Sequence, residues 1–229
     1  MKRRVLLDLF CGAGGCSVGY RRAGFTKIVG VDNRPMPRYP FEFVQADALE
    51  YLAEHGREFD VIHASPPCQR YSRASFMANH KAKHPDLLAP TRSCLQEIGK
   101  PYVIENVDGA PVRQAVMLCG LMFGLKVFRH RWFECSNLIM IPEHPSHRGK
   151  RIGDNGMCCV VGHGGGVSRR MHEQIARHSR HGCGGQQNKV DWEAAMGIDW
   201  MTQTELSQAI PPAYCEFIGR QLANLLETT

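Results

Sequence analysis

Asp60-Val-Ile-His-Ala-Ser-Pro-Pro-Cys-Gln69 sets the reading of the whole chain. The apolar run from Val61 to Ala64 has the length and composition of a strand buried on both faces, and it stops at two prolines. Neither Pro66 nor Pro67 can donate to a sheet ladder, so the backbone must turn out at the strand's carboxyl end. Cys68 stands on that stiffened turn, at the edge where open α/β sheets hold their ligands. A thiol there fits two roles: a pre-positioned nucleophile, or a half-buried structural cysteine.

On the N-terminal side, Val5 to Phe10 reads as a first buried strand, followed by Cys-Gly-Ala-Gly-Gly15 and by helical spacing from Ser17 to Ala23. Strand, glycine-rich turn and helix make the opening unit of a nucleotide-binding α/β domain. Glycines let the backbone approach a ligand and expose amides at a helix N-terminus. A second strand, Lys27 to Val31, ends in Asp32, about twenty residues past the glycine turn, where a carboxylate can take ribose hydroxyls or simply close the strand end. No phosphate-gripping lysine follows the glycines, which argues against ATP or GTP. Phe43 to Gln45 reads as a third strand. Asp47 can cap a helix over Ala48 to Glu54 or touch an adenine amino group, and the two jobs are compatible.

On the C-terminal side, Arg70 to Pro90 reads as a polar, basic loop, and Ala89 to Ile98 as a helix stopped by Gly99-Lys-Pro101. Tyr102 to Val107 is an apolar strand with Glu105 and Asn106 at its end; a buried carboxylate and amide are costly unless paired or used, which favours a functional role. The pattern predicts a helix over Ala115 to Phe123 and a strand over Leu125 to Glu134. Period two would set Arg129 and Arg131 on one strand face, either solvated or clamping a phosphate or carboxylate. Cys135 to Lys189 is rich in Gly, His, Arg and Cys, with His163-Gly-Gly-Gly166, His181-Gly-Cys-Gly-Gly185, Arg169, Arg170, Arg177 and Arg180. It reads as a small irregular insertion that touches the substrate. His144, His147, Cys158, Cys159 and Cys183 are candidate zinc ligands, but their spacing matches no standard pattern and no metal is assigned. The His-Gly-Gly-Gly run lacks a nucleophile-elbow partner, which excludes an oxyanion-hole loop of that type. The tail runs from Asp191 through Met201 and Thr204 to Tyr214, and a helix is expected over Ala213 to Leu226, begun by Pro212.

With 229 residues the chain can build one sizeable α/β domain and a small appendage. No apolar run reaches membrane-spanning length, and Met1-Lys-Arg-Arg leads straight into a strand, so an intracellular protein is expected. Ten cysteines without a framework spacing point to reduced thiols. A formal charge of +6 favours a polyanionic partner.

In sequence order, Asp8-Leu-Phe-Cys-Gly-Ala-Gly-Gly15, Asp32, Ser65-Pro-Pro-Cys-Gln69, Glu105-Asn-Val107, Arg129-His-Arg131 and Ala209-Ile-Pro-Pro212 together resemble the cytosine-5 DNA methyltransferase family. The resemblance implies a doubly wound, mostly parallel α/β sheet of the Rossmann-like methyltransferase type with a small irregular recognition segment. It divides the chain into a cofactor-binding and catalytic domain (1–134), a target-recognition segment (135–190) and a C-terminal segment returning to the catalytic domain (191–229). It assigns Cys68, held by Pro67, as the nucleophile at cytosine C6, with Glu105 on N3 and Asn106 positioning the loop. Arg131 and Arg129 would steady the flipped base and its phosphate. S-adenosylmethionine would be lined by Phe10, Gly12, Gly14, Gly15, Pro67 and Gln208, with Asp32 on the ribose and Asp47 near the adenine. The partner implied is duplex DNA with its target cytosine flipped out, under a lid formed by the loop after Gln69.

The same resemblance implies a monomer in the cytoplasm of a bacterial or phage-infected cell, in a restriction-modification setting. An RNA cytosine as target, and a non-catalytic protein that binds cofactor and nucleic acid, are the alternatives. Three departures from the family pattern stand out. Val127 replaces a glutamine before the arginine pair, Gln208 replaces an asparagine in the late motif, and 135–190 is short for a target-recognition region, which implies short or relaxed recognition. The C-terminal helix is expected beside the first strand, bringing Pro211 and Pro212 toward the cofactor site.

Overall fold

The computed structural model describes residues 3–71, 85–150, 152, 155, 157–160 and 188–228. Seven strands form one sheet: β1 (Val5–Leu9), β2 (Lys27–Asp32), β3 (Glu42–Gln45), β4 (Val61–Ala64), β5 (Tyr102–Asn106), β6 (Val116–Leu118) and β7 (Arg131–Cys135), in the order β3-β2-β1-β4-β5-β7-β6. The five strands from β3 to β5 are parallel, and β7 runs antiparallel to both β5 and β6. The chain winds outward from β1 to β3 and then crosses to β4 on the other side of β1. That reversal opens a crevice at the carboxyl ends of β1 and β4, where open α/β sheets take their ligands.

Six helices flank the sheet among the described residues: α1 (Gly15–Arg22), α2 (Ala48–His55), α3 (Leu88–Ile98), α4 (Lys189–Met196), α5 (Gln203–Gln208) and α6 (Pro212–Thr228). Strand alternation divides the core in two. Leu6, Ile28, Val61, Val103 and Phe133 face α1 and α6, meeting Tyr20, Tyr214, Ile218 and Leu222. Leu7, Leu9, Val29, Val31, Ile62 and Ile104 face α2 and α3, meeting Leu52, Leu95 and Ile98. Each such fully buried side chain contributes roughly 1.5–3 kcal/mol. The close approach of α1 to α6 requires glycine. A Cβ on Gly15 would collide with the Ile210 carbonyl oxygen, and one on Gly19 with the Pro212 carbonyl oxygen.

The expected C-terminal helix therefore forms and packs on the α1 side of the sheet. Two other expectations fail. Ala115 to Phe123 is not a helix but β6, which pairs antiparallel with β7, followed by a 3₁₀ turn at Gly120–Phe123 where a Cβ on Gly120 would overlap the Val127 carbonyl. Leu125 to Glu134 is not one strand: β7 begins only at Arg131, after Arg129 takes a left-handed φ of 34°. The boundary set at 134 also falls inside β7, which runs to Cys135 and pairs with β5. Eight described cysteines are free thiols, but Cys159 is disulfide-bonded, against the expectation of reduced thiols throughout. His163-Gly-Gly-Gly166, Arg169, Arg170, Arg177, Arg180 and His181 to Gly185 lie outside the described residues.

Candidate active site

The loop after β1 is shaped by backbone that only certain residues adopt readily. Gly12 and Gly14 have φ of 50° and 84°, and Phe10 between strand and loop has 57°. A Cβ on Gly12 would meet nothing within 4 Å, so this turn faces open space, whereas one on Gly14 would strike Pro40 and Tyr39. Gly14 caps α1 in left-handed geometry, and Gly15 begins the helix. Asp32, at the carboxyl end of β2, accepts from the Gly12 amide at 3.2 Å and from the Arg34 amide at 3.0 Å. It therefore ties the glycine turn to the neighbouring strand. Asp47 caps α2, accepting from Leu49 and Glu50 amides at 2.8 and 3.1 Å. Gln208 is exposed at the end of α5. An open glycine turn beside a strand-end carboxylate suits a cofactor that carries a diol.

Beneath this loop lies a polar network that composition alone did not disclose. Ser17 on α1 donates to Asp8 on β1 and shares a 2.6 Å hydrogen bond with Tyr39. Burial raises the Asp8 pKa to about 7, with the nearby Asp32 adding to the shift.

The second loop carries the thiol. Ser65 donates its amide to Leu9 at 3.1 Å, holding the end of β4 beside β1 just before Pro66 and Pro67 turn the chain away. Asn106, at the end of β5, donates its side-chain amide to the Pro66 carbonyl at 3.0 Å and accepts from the Val107 amide at 2.9 Å. This crosslink sets the Cys68 turn against the strand that bears Glu105. Glu105 is buried, and its carboxylate lies 3.1 Å from Arg131 Nε. Burial pushes its pKa up, while Arg131, Arg129 and a hydrogen bond from Ser65 pull it down. The Cys68 thiol is likewise pushed up, by burial and then by the Glu105 charge, with Arg131 and Arg129 opposing. Thiol, carboxylate and two guanidinium groups thus share one electrostatic neighbourhood.

Arg129 does not share a strand face with Arg131, and its guanidinium does not face outward. Nε donates to Ala209 O at 2.8 Å, Nη1 to Val160 O at 2.8 Å and Nη2 to Ser207 O at 2.9 Å. The expectation that it clamps a phosphate gives way to a positioning role: two charge-assisted hydrogen bonds, each worth about 1.5–3 kcal/mol, hold the late motif, and a third ties it to Val160. Burial, then Arg131, lowers its pKa to about 9. α4 and α5 complete the support, packing Trp192, Met196 and Leu206 against Ala13 and Val127, while Trp200 Nε1 donates to Ala13 O at 2.8 Å.

Two contributors were missed by sequence reading. Tyr20 bonds His63 Nδ1 at 3.0 Å, and His63 Nε2 bonds Ser65 Oγ at 3.1 Å, so a buried polar chain runs from α1 to the Glu105 carboxylate. Burial lowers the His63 pKa to about 3, so the ring is neutral. The signal was present in the two-residue spacing of His63 and Ser65 at the end of an otherwise apolar strand. Of the zinc candidates, Cys158 turns instead toward the Asp191 carbonyl at 3.4 Å, and Cys183 lies outside the described residues.

Residues 5–113 match the family model described as C-5 cytosine-specific DNA methylase, a span that holds the glycine turn, Cys68 and Glu105. Over this stretch, just under half of its length, the chain is similar to the cytosine-5 DNA methylase family. Among curated relatives, the type II methyltransferase M.XorII of Xanthomonas oryzae is 31% identical over 127 residues, covering 49% of this chain but only 30% of that protein. The type II methyltransferase M.AgeI of Thalassovita gelatinovora is 29% identical, covering 45% of this chain and 28% of its own length. The chain thus spans less than a third of either. The crystal structure of S. pombe Dnmt2 methyltransferase superposes over 98% of this chain and 99% of its own, with a TM-score of 0.63 and 15% identity. That likeness is one of fold, and it runs through the C-terminal half.

Proposed function

We propose that the chain is a DNA cytosine-5 methyltransferase that uses S-adenosylmethionine. The observation that carries this reading is the Asn106–Pro66 crosslink, which holds a buried carboxylate, Glu105, against the proline turn bearing Cys68. The family model and the relatives' names support DNA as the polymer and cytosine as the base.

Carbon 5 of cytosine is a weak nucleophile, and the site's residues address that weakness. Cys68 adds as a thiolate to C6, forming a C–S bond, and the displaced ring electrons are drawn toward N3, where Glu105 gives a proton or a hydrogen bond that stabilises them. Arg131 and Arg129 favour the thiolate form of Cys68 against the opposing effect of burial. The raised pKa of Glu105 suits a carboxyl that must be protonated to serve as an acid near neutrality. With C5 made electron-rich, S-adenosylmethionine would supply an electrophilic methyl group, its S–CH3 bond breaking as the thioether leaves. Loss of the C5 proton and elimination across C5–C6 then break the C–S bond and return Cys68. Gly12, Gly14, Gly15, Phe10 and Pro67 would line the cofactor, Asp32 would take its ribose hydroxyls, and Asp47 would lie near the adenine. Because Cys68 must reach a ring face, the target base must leave the helical stack.

The type II relatives suggest a restriction-modification setting for this chemistry. Among the described residues no helix is long and apolar enough to cross a membrane. The test is methyl transfer from labelled S-adenosylmethionine to duplex DNA, with RNA and a cytosine-free duplex in parallel and Cys68→Ser beside wild type. Label on DNA cytosine that vanishes with Cys68→Ser is expected. Label on RNA alone would change the polymer, and label on neither would remove the enzymatic reading.

A further inference from the structure

Four side chains from three separate stretches bring metal-ligating atoms to one place outside the cytosine chemistry. Cys119, His130, His144 and His147 each offer one donor, and the four donor atoms all lie within 4.8 Å of one another. Cys119 Sγ is 3.3 Å from His147 Nε2, and His130 Nε2 is 3.3 Å from His144 Nε2. Zinc bonds of about 2.0–2.1 Å to nitrogen and 2.3 Å to sulfur require edges of roughly 3.3–3.6 Å in a tetrahedron of such donors. The two close pairs share no residue, so they form opposite edges of a tetrahedron, and the remaining pairs, all within 4.8 Å, would close by up to about 1.5 Å on binding. We infer that Cys119, His130, His144 and His147 form a structural zinc site.

The donor chemistry narrows the ion. Three imidazoles and one thiolate suit zinc, whereas magnesium and calcium take oxygen ligands. Four protein ligands close the coordination sphere, the arrangement of structural rather than catalytic zinc. A second cluster, Cys16, His63 and Cys215, is a useful contrast. It offers only three donors, and both His63 nitrogens already bond Tyr20 and Ser65. The first cluster instead turns donors toward one another.

The local fold has a use for such a clamp. Residues 138–147 contain no helix or strand; Ile139 joins the core, Gln221 bonds Met140 N and O at 2.9 and 3.1 Å, and the His147 ring packs on Phe128 and His130. Cys119 is fully buried against Phe128 and Met157, so one side of the site is apolar and dry, while His144 lies at the surface. Binding replaces the Cys119 S–H bond by a sulfur–zinc bond and releases that proton to solvent, with the imidazoles bound neutral. His130 stands between Arg129 and Arg131. The ion would therefore pin the arginine motif to the 144–147 loop and to the turn at Cys119, a positioning role independent of the polymer methylated.

The test is metal analysis of the full chain, purified from zinc-supplemented culture after removal of any histidine tag. About one tightly held zinc per chain is expected, dropping below about a tenth in Cys119→Ser and in His144→Gln. His144→Gln changes a surface residue and keeps the comparison available if Cys119→Ser folds poorly. Cobalt substitution of the wild-type chain adds a readout that needs no variant: tetrahedral visible bands with a single thiolate charge-transfer band. A wild-type chain that neither retains zinc nor takes it up on titration overturns the assignment. So does zinc that persists in folded Cys119→Ser and His144→Gln, or a cobalt spectrum with more than one thiolate.

Discussion

Two buried carboxylates sit one register step apart on the β5–β7 ladder, on opposite faces of the sheet, and each meets an arginine. Glu134, which pairs with Ile104, faces α3 and takes Arg92 through both oxygens at 2.7 Å, with the Arg113 amide at 2.7 Å as a third donor. Arg92 in turn gives its remaining reach to Pro111 O at 2.8 Å. Glu105, which pairs with Phe133, faces α1 and α6 and meets Arg131 through Nε at 3.1 Å. The Glu134 pair is a closed bidentate fork with side chains 6% exposed at both ends, while Arg131 keeps 17% of its surface open. A satisfied fork stabilises the ionised state and has little left to react with. A carboxylate with one guanidinium contact, a raised pKa and a thiol beside it has been left with work to do.

The contrast is sharpest at the thiol. Cys68→Ala should lower methyl transfer by about 10⁴-fold or more while leaving the melting temperature near wild type, since a nucleophile acts as one unit with its partners. Thermal melts beside single-turnover assays separate the two effects. Glu105→Gln should cost roughly 10²–10⁴-fold in activity. Its effect on stability has a definite sign. A carboxyl whose folded pKa is raised contributes stability that is present below the unfolded pKa and lost as pH rises through the folded one. The glutamine variant should therefore gain on wild type in urea melts at pH 8 relative to pH 4. A loss at pH 8 would mean that Glu105 is a structural ion pair like Glu134.

Arg92→Met should do the opposite. It strands a buried Glu134 charge and should cost about 3–5 kcal/mol of stability, with the specific activity of the folded fraction retained. Equal loss of activity per folded molecule would break the distinction between the pairs. A smaller effect is expected at Asp8, on the same face as Glu105. Its pKa of about 7 means that the fold holds a proton the unfolded chain has released, so stability from this group falls between about pH 4 and pH 7 and is flat above. Asp8→Asn should remove that slope, a difference of a few kcal/mol at most, read from denaturant midpoints across that range.

The comparison also explains what could be read from the residues. Buried parallel strands with polar ends are legible because apolar runs and turn residues stand side by side, which is why β1, β2, β4, β5 and the turns that follow β1 and β4 can be placed from the residues alone. The antiparallel edge cannot. Val116 to Phe123 carries an apolar pattern that serves a helix or a strand, and the antiparallel pairing of β6 with β7 decides between them only in three dimensions. Arg129 misled for a related reason: a period of two presumes a strand, and a left-handed residue stands where the strand was expected. Cys119 and His130 could not be grouped with His144 and His147 by spacing, because a sheet turn brings them together.

The glycine contacts between α1 and α6 set a schedule for the protein's birth. Tyr20 and Gly19 leave the ribosome early, yet Pro212, Tyr214 and Ile218, which cover them, are made roughly 190 residues later. At about 5–20 residues per second the nascent chain carries an uncovered apolar sheet face for on the order of 10–40 seconds. Chaperone engagement during synthesis should therefore track the emergence of α6, the last wall of the core to be delivered.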